Sequence, residues 1–298
     1  LIANSTQESV RGVPPEALER PSHDLPFMEM LRGIWSPAPA VTRSIAVLPL
    51  VFHFFALVGY SSYLEVVLDL SLAGVKQGRV TGILLSCLWA PPAGLLSSLF
   101  ALFLAYGVLN SVAGMERALG SGRLILWVVS STVAVNLLFL LLAFALDALS
   151  PLVGLPPIWA RVPCHGLVVL AVLSITASKM MNPEVQTLFF GLIPMKNKYY
   201  PLALVAFFVL LSGPMALGDV AAVAVGYLHK RLGLQGELLS EHTLTRLESS
   251  RFACICGRGL FGGRWVPVRE SVGGTGLDGG APVLPTTSAG GGGYTLIG

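Results

Sequence analysis

The chain has 298 residues, of which 54% are hydrophobic and 12% charged, and its 19 Lys and Arg against 16 Asp and Glu give a net charge of +3. A soluble domain carries about 25% charged residues, so this charge cannot cover two water-exposed domains, and the mean hydropathy of +0.73 agrees. Low net charge with no basic block longer than two residues excludes a nucleic-acid binder, and four cysteines exclude a disulfide scaffold. The composition is that of an integral membrane protein.

Residues 1–43 hold no apolar run long enough for a signal peptide, and the non-Met start would fit removal of a transit peptide. Pro14, Pro15, Pro21 and Pro26 alternate there with Leu25, Phe27, Met28, Leu31 and Trp35. This is either an arm that lies at an interface or on a partner, or a plain polar tail. A helix needs about 20 predominantly apolar residues to cross a bilayer. The first such stretch is 44–63, with Tyr60 and Tyr63 suited to the headgroup level. The next apolar zone is broken by Pro91 and Pro92, which leaves 82–90 as a short, partly embedded segment and 94–113 as the second span. Further spans follow at 124–146, 165–178, 200–211 and 215–228. The short ones are tolerable where neighbouring helices shelter their backbone.

With six crossings, 16 of the 19 Lys and Arg fall on one side, and only Lys76, Arg79 and Arg161 on the other. Positive loops stay on the cytosolic or matrix side, which predicts both termini there. Beyond the last span, 232–250 spaces Leu234, Leu238, Leu239, Leu244 and Leu247 among charges. That pattern predicts an amphipathic helix on the membrane or on a partner. From Gly273 the tail is rich in Gly, Pro, Ser and Thr and cannot bury a core of its own. The expected organisation is thus an arm (1–43), a helical membrane domain (44–232) and an extension (233–298).

Ionisable groups inside a membrane are functional candidates. Asp219, at the start of the sixth span, is the foremost. Unpaired at mid-membrane it would cost on the order of 3 kcal/mol; solvated at the interface, or capping its own helix, it would be unremarkable. His53 lies mid-span and reads as a core residue. Ala221, Ala222, Ala224 and Gly226 would allow close approach of another helix. Glu116 and Arg117 end the second span, where an Arg suits the helix C-terminus. Cys254 and Cys256 form one pair, too few for a four-ligand zinc site, and no phosphate-binding glycine loop precedes a helix. No metal or cofactor is expected.

Several stretches together resemble the rhomboid superfamily and, within it, the Derlin-type pseudoproteases, over roughly residues 36–232. They are Ala40-Val41-Thr42-Arg43 before the first span, Met115-Glu116-Arg117-Ala118-Leu119-Gly120-Ser121 after the second, Asn182-Pro183-Glu184-Val185 with Phe189-Phe190-Gly191-Leu192 and Tyr200-Pro201, and Asp219 with Gly226. The resemblance implies a six-helix rhomboid-like transmembrane bundle, all-α, with short amphipathic helices and irregular N- and C-terminal extensions. It puts Asp219 where active relatives keep the catalytic histidine, and Pro163-Cys164-His165-Gly166 where they keep Gly-x-Ser-Gly. A serine nucleophile needs a hydroxyl with a base in reach, so no proteolysis is expected. The family's Trp-Arg motif survives only as Arg79 and Thr81 at shifted spacing. His-Gly at 165–166 is also found in some non-proteolytic Golgi relatives.

The resemblance implies a scaffold or dislocation factor that engages other transmembrane segments through a shallow lateral cavity, with Arg79, Asp219 and the Pro91-Pro92 break lining or shaping it. Endoplasmic reticulum is the location it implies. The alternative is a structural subunit of an organellar complex, such as a respiratory or ATP-synthase assembly of the mitochondrial inner membrane, wrapped by the arm and the tail. The expected surroundings are the lipid bilayer, other membrane-protein helices and a multi-subunit assembly. The Gly291 to Leu296 spacing also resembles, without its Phe, a box that recruits an AAA ATPase.

Overall fold

The computed structural model describes residues 35, 38–92, 94–154, 156, 158–164, 166–232 and 263–267. Residues 1–36 form a unit of their own, of which Trp35 alone is described, in helical conformation. The arm expected over 1–43 therefore lies mostly outside the described residues. So do His165, the amphipathic helix from 233 onward, Cys254, Cys256 and the Gly-rich tail.

The remainder is mostly helical. Helix α1 (Ala40–Phe55) passes through a π turn (Ala56–Tyr60), kinked at Gly59, into α2 (Ser61–Leu68). Two short helices follow, α3 (Leu72–Lys76) and α4 (Gly82–Leu85), the latter extended by a 3-10 turn (Ser86–Leu88). Then come α5 (Leu95–Leu119) and α6 (Ser121–Leu149), joined by a tight turn at Gly120. Helix α7 (Gly166–Met181), α8 (Tyr200–Ser212) and α9 (Leu217–Leu232) complete the order. The Pro91-Pro92 break falls where the sequence predicts it, between the short 82–88 segment and α5.

Among the described residues, four segments are long and apolar enough to cross a membrane: Ala40–Leu68, Leu95–Leu119, Ser121–Leu152 and Tyr200–Arg231. They mark an integral membrane protein of helical class. The last of the four is not one rod. Tyr227, near the end of α9, donates its hydroxyl to the carbonyl of Lys198, just before α8, across 29 residues. A straight helix would hold those residues about 44 Å apart, so α8 and α9 run antiparallel about the 3-10 turn Gly213–Ala216.

Helix α7 is the centre. Ten of its 16 residues are buried, which suits an apolar helix surrounded on all sides. The Ser86–Leu88 turn, α5, α8 and α9 pack around it. Close approach depends on glycine. A Cβ on Gly166 would stand 1.5 Å from the Ser86 carbonyl oxygen, and one on Gly226 would stand 2.5 Å from Thr176 Cγ2. Gly218, Ala222 and Gly226, four residues apart on α9, form the buried stripe facing α7, with Ala221 beside them. Ala224, expected among the packing residues, is exposed instead. At 100° per residue it lies about 200° round the helix from Ala222.

The chain between α7 and α8 departs from the all-α expectation. Strands β1 (Gln186–Phe189) and β2 (Ile193–Lys196) pair antiparallel, Gln186 opposite Lys196 and Phe189 opposite Ile193. Asn197 ties the base of this hairpin, accepting from Thr187 Oγ1 at 2.8 Å and donating to the Asn182 carbonyl at 2.8 Å. Glu184 adds ion pairs to Lys198 (2.8 Å) and Lys196 (2.9 Å). Hydrogen bonds from Lys198, then from Lys196, hold its carboxyl down at about 2.

A second unexpected feature is the segment 263–267, which crosses the starts of α1 and α6. The Ala40 amide donates to the Arg264 carbonyl (3.1 Å) and the Ser121 amide to the Val266 carbonyl (2.8 Å). The Val266 amide donates to Ser121 Oγ (2.9 Å), and Trp265 packs against the main core.

The α7–α9 contact gives a direct test. Gly226→Ala should destabilise the detergent-solubilised protein by about 1–3 kcal/mol, the cost of overpacking. Adding Thr176→Ser, which removes Cγ2 and keeps the hydroxyl bonded to Val172 at 2.7 Å, should restore most of that loss in thermal unfolding.

Candidate functional site

Helix α8 rests on α7 and α9, and no comparable packing joins it to α5. The gap is an apolar cleft of about 560 Å3. Phe103 and Gly107 of α5 form one wall, Phe207 and Leu211 of α8 the other, and Val172 of α7 part of the floor. Its rim is unusually apolar for an open surface, with Phe103 58% and Leu211 67% exposed. Contiguous apolar surface of this kind marks a contact site or a lipid-facing one. At the end of the cleft nearest the end of α7, Phe190 from the hairpin tip lines it and packs on Phe207, ring centroids 5.2 Å apart.

Asp219 lines the opposite end, near the start of α7. It is 5% exposed, and its Oδ1 has no hydrogen-bond partner among the described residues. A Cβ on the neighbouring Gly218 would lie 3.0 Å from Cys164 Sγ, so 163–164 and 219, distant in sequence, meet here. Cys164 donates weakly to Asn136 Oδ1 (3.6 Å), and Asn136 Nδ2 donates to Ser86 Oγ and to the Ile83 carbonyl, both at 2.8 Å. The cluster ties the short 82–88 segment to α6. Sequence reasoning passed over Asn136 and Ser86; the lone amide in the apolar run of α6 was the signal that could have found them.

Glu116 and Arg117 separate. Arg117 is exposed, whereas Glu116 is fully buried. Glu116 accepts from the amides of Val41 (3.1 Å) and Thr42 (2.7 Å), from Thr42 Oγ1 (2.6 Å) and from Ser121 Oγ (2.5 Å). Pro39 gives α1 no side-chain cap, and the first amides of a helix have no partner within it. A carboxylate from α5 supplies that cap, at the end of the helix dipole that favours negative charge. Two stretches that carry the family resemblance, 40–43 and 115–121, thus form one interaction across 74 residues. Its role is architectural.

The remaining candidates lie elsewhere. Arg79 is exposed in the loop after α3, and Thr81 donates to the Val67 carbonyl at 2.7 Å; neither lines the cleft, nor do Pro91 and Pro92. The proline pair directs the chain into α5, beside the Ala90 carbonyl, which accepts from His53 Nδ1 at 2.7 Å. His53 Nε2 pairs with Ser98 Oγ at 2.9 Å, so His53 is a buried strut, as its mid-span position suggests. Gly226 serves packing. His229, unremarked in the sequence, is buried within 3.3 Å of Ser131 Oγ and edge-on to Trp127.

Asp69 sits where α2 ends, and its Oδ1 has no partner among the described residues. Burial, with Glu65 nearby, pushes its carboxyl up to about 6, against the smaller pulls of the Leu70 amide and Arg79.

Two outcomes follow from these geometries. Replacing Glu116 by Leu strands four buried donors at about 1–3 kcal/mol each, and should cost more than about 3 kcal/mol; Glu116→Gln, which keeps one acceptor oxygen, should lose clearly less. For Asp69, the folded state holds the proton more tightly than the ordinary carboxyl at 3.8, so its ionisation costs stability progressively from pH 3.8 to about 6 and fully above. Asp69→Asn should raise the Tm at pH 7.5, with the gain vanishing near pH 4.

Comparison of the chain with protein-family models, with curated proteins and with solved structures returned no match.

Proposed function

We propose that the chain is a catalytically inactive, rhomboid-like membrane protein of Derlin type that crosses the bilayer six times and engages other transmembrane segments as a scaffold or dislocation factor. The observation that carries this reading is the cleft between α5 and α8, lined by large exposed apolar side chains. The antiparallel turn between α8 and α9 supports counting Tyr200–Arg231 as two crossings. Six crossings preserve the 16-to-3 distribution of positive charge, with both termini on the cytosolic or matrix side. Helix α8, 13 residues or about 20 Å at 1.5 Å per residue, falls below the roughly 30 Å hydrocarbon core, and Leu202 and Leu210 on it are exposed. An outward-facing stretch this short would thin the bilayer around it, at fractions of a kcal/mol per Å, and ease lateral entry of a partner helix. The inactive reading rests on the resemblance, which puts His165 and Asp219 where active relatives keep the serine and the histidine.

Photo-reactive residues at Phe103 and Leu211 test this in native membranes. They should form adducts with other integral membrane proteins, whereas the same residue at Leu141, exposed on α6, should yield almost none. Equal yields at all three positions would contradict an occupied cleft. Adducts from Leu141 alone, to stoichiometric subunits of one respiratory complex, would favour the structural-subunit reading.

A further inference from the structure

Asp219 is a polar group out of place in the cleft. Its side chain is 95% buried by its 5% exposure, it lines an otherwise apolar cavity, and its Oδ1 finds no donor among the described residues. Buried polar atoms in folded proteins are nearly always satisfied, and an unpaired one in hydrocarbon is costly. Among the described residues the neighbouring walls offer no donor: Gly218 is pressed against Val169 and Cys164, and the Cys164 thiol is directed to Asn136. A donor carried into the cleft would satisfy the carboxyl.

We propose that Asp219 selects the occupant: a transmembrane segment of another membrane protein carrying a Lys or Arg at the level of the first turn of α9. This rests on the cleft being a docking site for transmembrane segments. Complementary charge is the argument. A Lys or Arg within a transmembrane helix carries the same liability as the carboxyl, and each relieves the other when the two meet in a site closed to water. The aromatic walls at Phe103 and Phe207 then accept the flanking apolar side chains. Position matters as well as type, because Asp219 occupies only the end of the cleft beside the start of α7, while Phe190 closes the other. The basic residue must lie within about one helical turn, 5.4 Å, of the Asp219 level.

The test uses the full-length protein in lipid vesicles, a photo-reactive residue at Leu211, and synthetic single-span Leu/Ala segments. One segment carries Lys at the Asp219 level, one carries it three turns away, and one has none. The first should cross-link about tenfold more than the other two, and Asp219→Asn should reduce it to the yield of the Lys-free segment. A Lys-free yield that is equal or higher in the variant reports that the variant's cleft is intact. Equal cross-linking of all three segments to the unaltered protein, or a preference that survives Asp219→Asn, would overturn the selection by Asp219 while leaving the cleft as a docking site. Absence of cross-links from every segment would overturn both.

Discussion

The structure depends on burying α7, a helix too short to span a bilayer unaided. At about 24 Å its ends would leave backbone polar groups within a hydrocarbon core about 30 Å thick. Neighbours must therefore meet both its faces and its start. Helix α9 does so through Gly218, Ala222 and Gly226, and the Ser86–Leu88 turn through the absent side chain of Gly166. The Leu167 amide donates to the Trp89 carbonyl and the Cys164 amide to the Leu70 carbonyl, so the loop segments before α5 satisfy groups at the start of α7. The short 82–88 segment exists for this purpose, and Asn136 and His53 hold it and its continuation in place.

The cleft is a consequence of the same arrangement. Helices α5 and α9 both pack directly on α7, but α8 leans on α7 and α9 and leaves α5 uncovered along one side. Helix α8 is held along one face by Leu204 and Phe208, buried in the core, and at its ends by the turn at Gly213–Ala216 and the hairpin. The opposite flank is built differently. There α1, α5 and α6 are bound through the Glu116 carboxylate and the crossing segment 263–267. One side of the bundle is stapled by hydrogen bonds, and the other holds the apolar cleft between α5 and α8.

The sequence made the helices legible because apolar runs of membrane length are self-evident, and each break it marked, at Pro91-Pro92 and between 211 and 215, corresponds to a turn. It also singled out Asp219 and Glu116, since carboxyl groups beside apolar runs are conspicuous. What it could not disclose were their opposite fates: Glu116 meets four donors from 74 or 75 residues upstream and from the turn at Ser121, while Asp219 meets none at Oδ1. Those outcomes are decided by tertiary contact. Ala224 lies on the exposed face of α9, about 200° from Ala222, as the 3.6-residue period places it. The hairpin at 186–196 escaped because an apolar stretch flanked by lysines looks the same as helix, loop or strand until its cross-strand partners are known.

The central claim is that α5 and α8 stand apart in the membrane and form an adaptable opening. Spin labels at Phe103 and Leu211 in lipid nanodiscs would measure that separation by pulsed electron resonance. An open cleft predicts well-separated labels whose distance distribution shifts and narrows when a transmembrane segment is supplied. A single short distance, unchanged by any added segment, would mean that α8 closes on α5 in the bilayer, and would contradict the account.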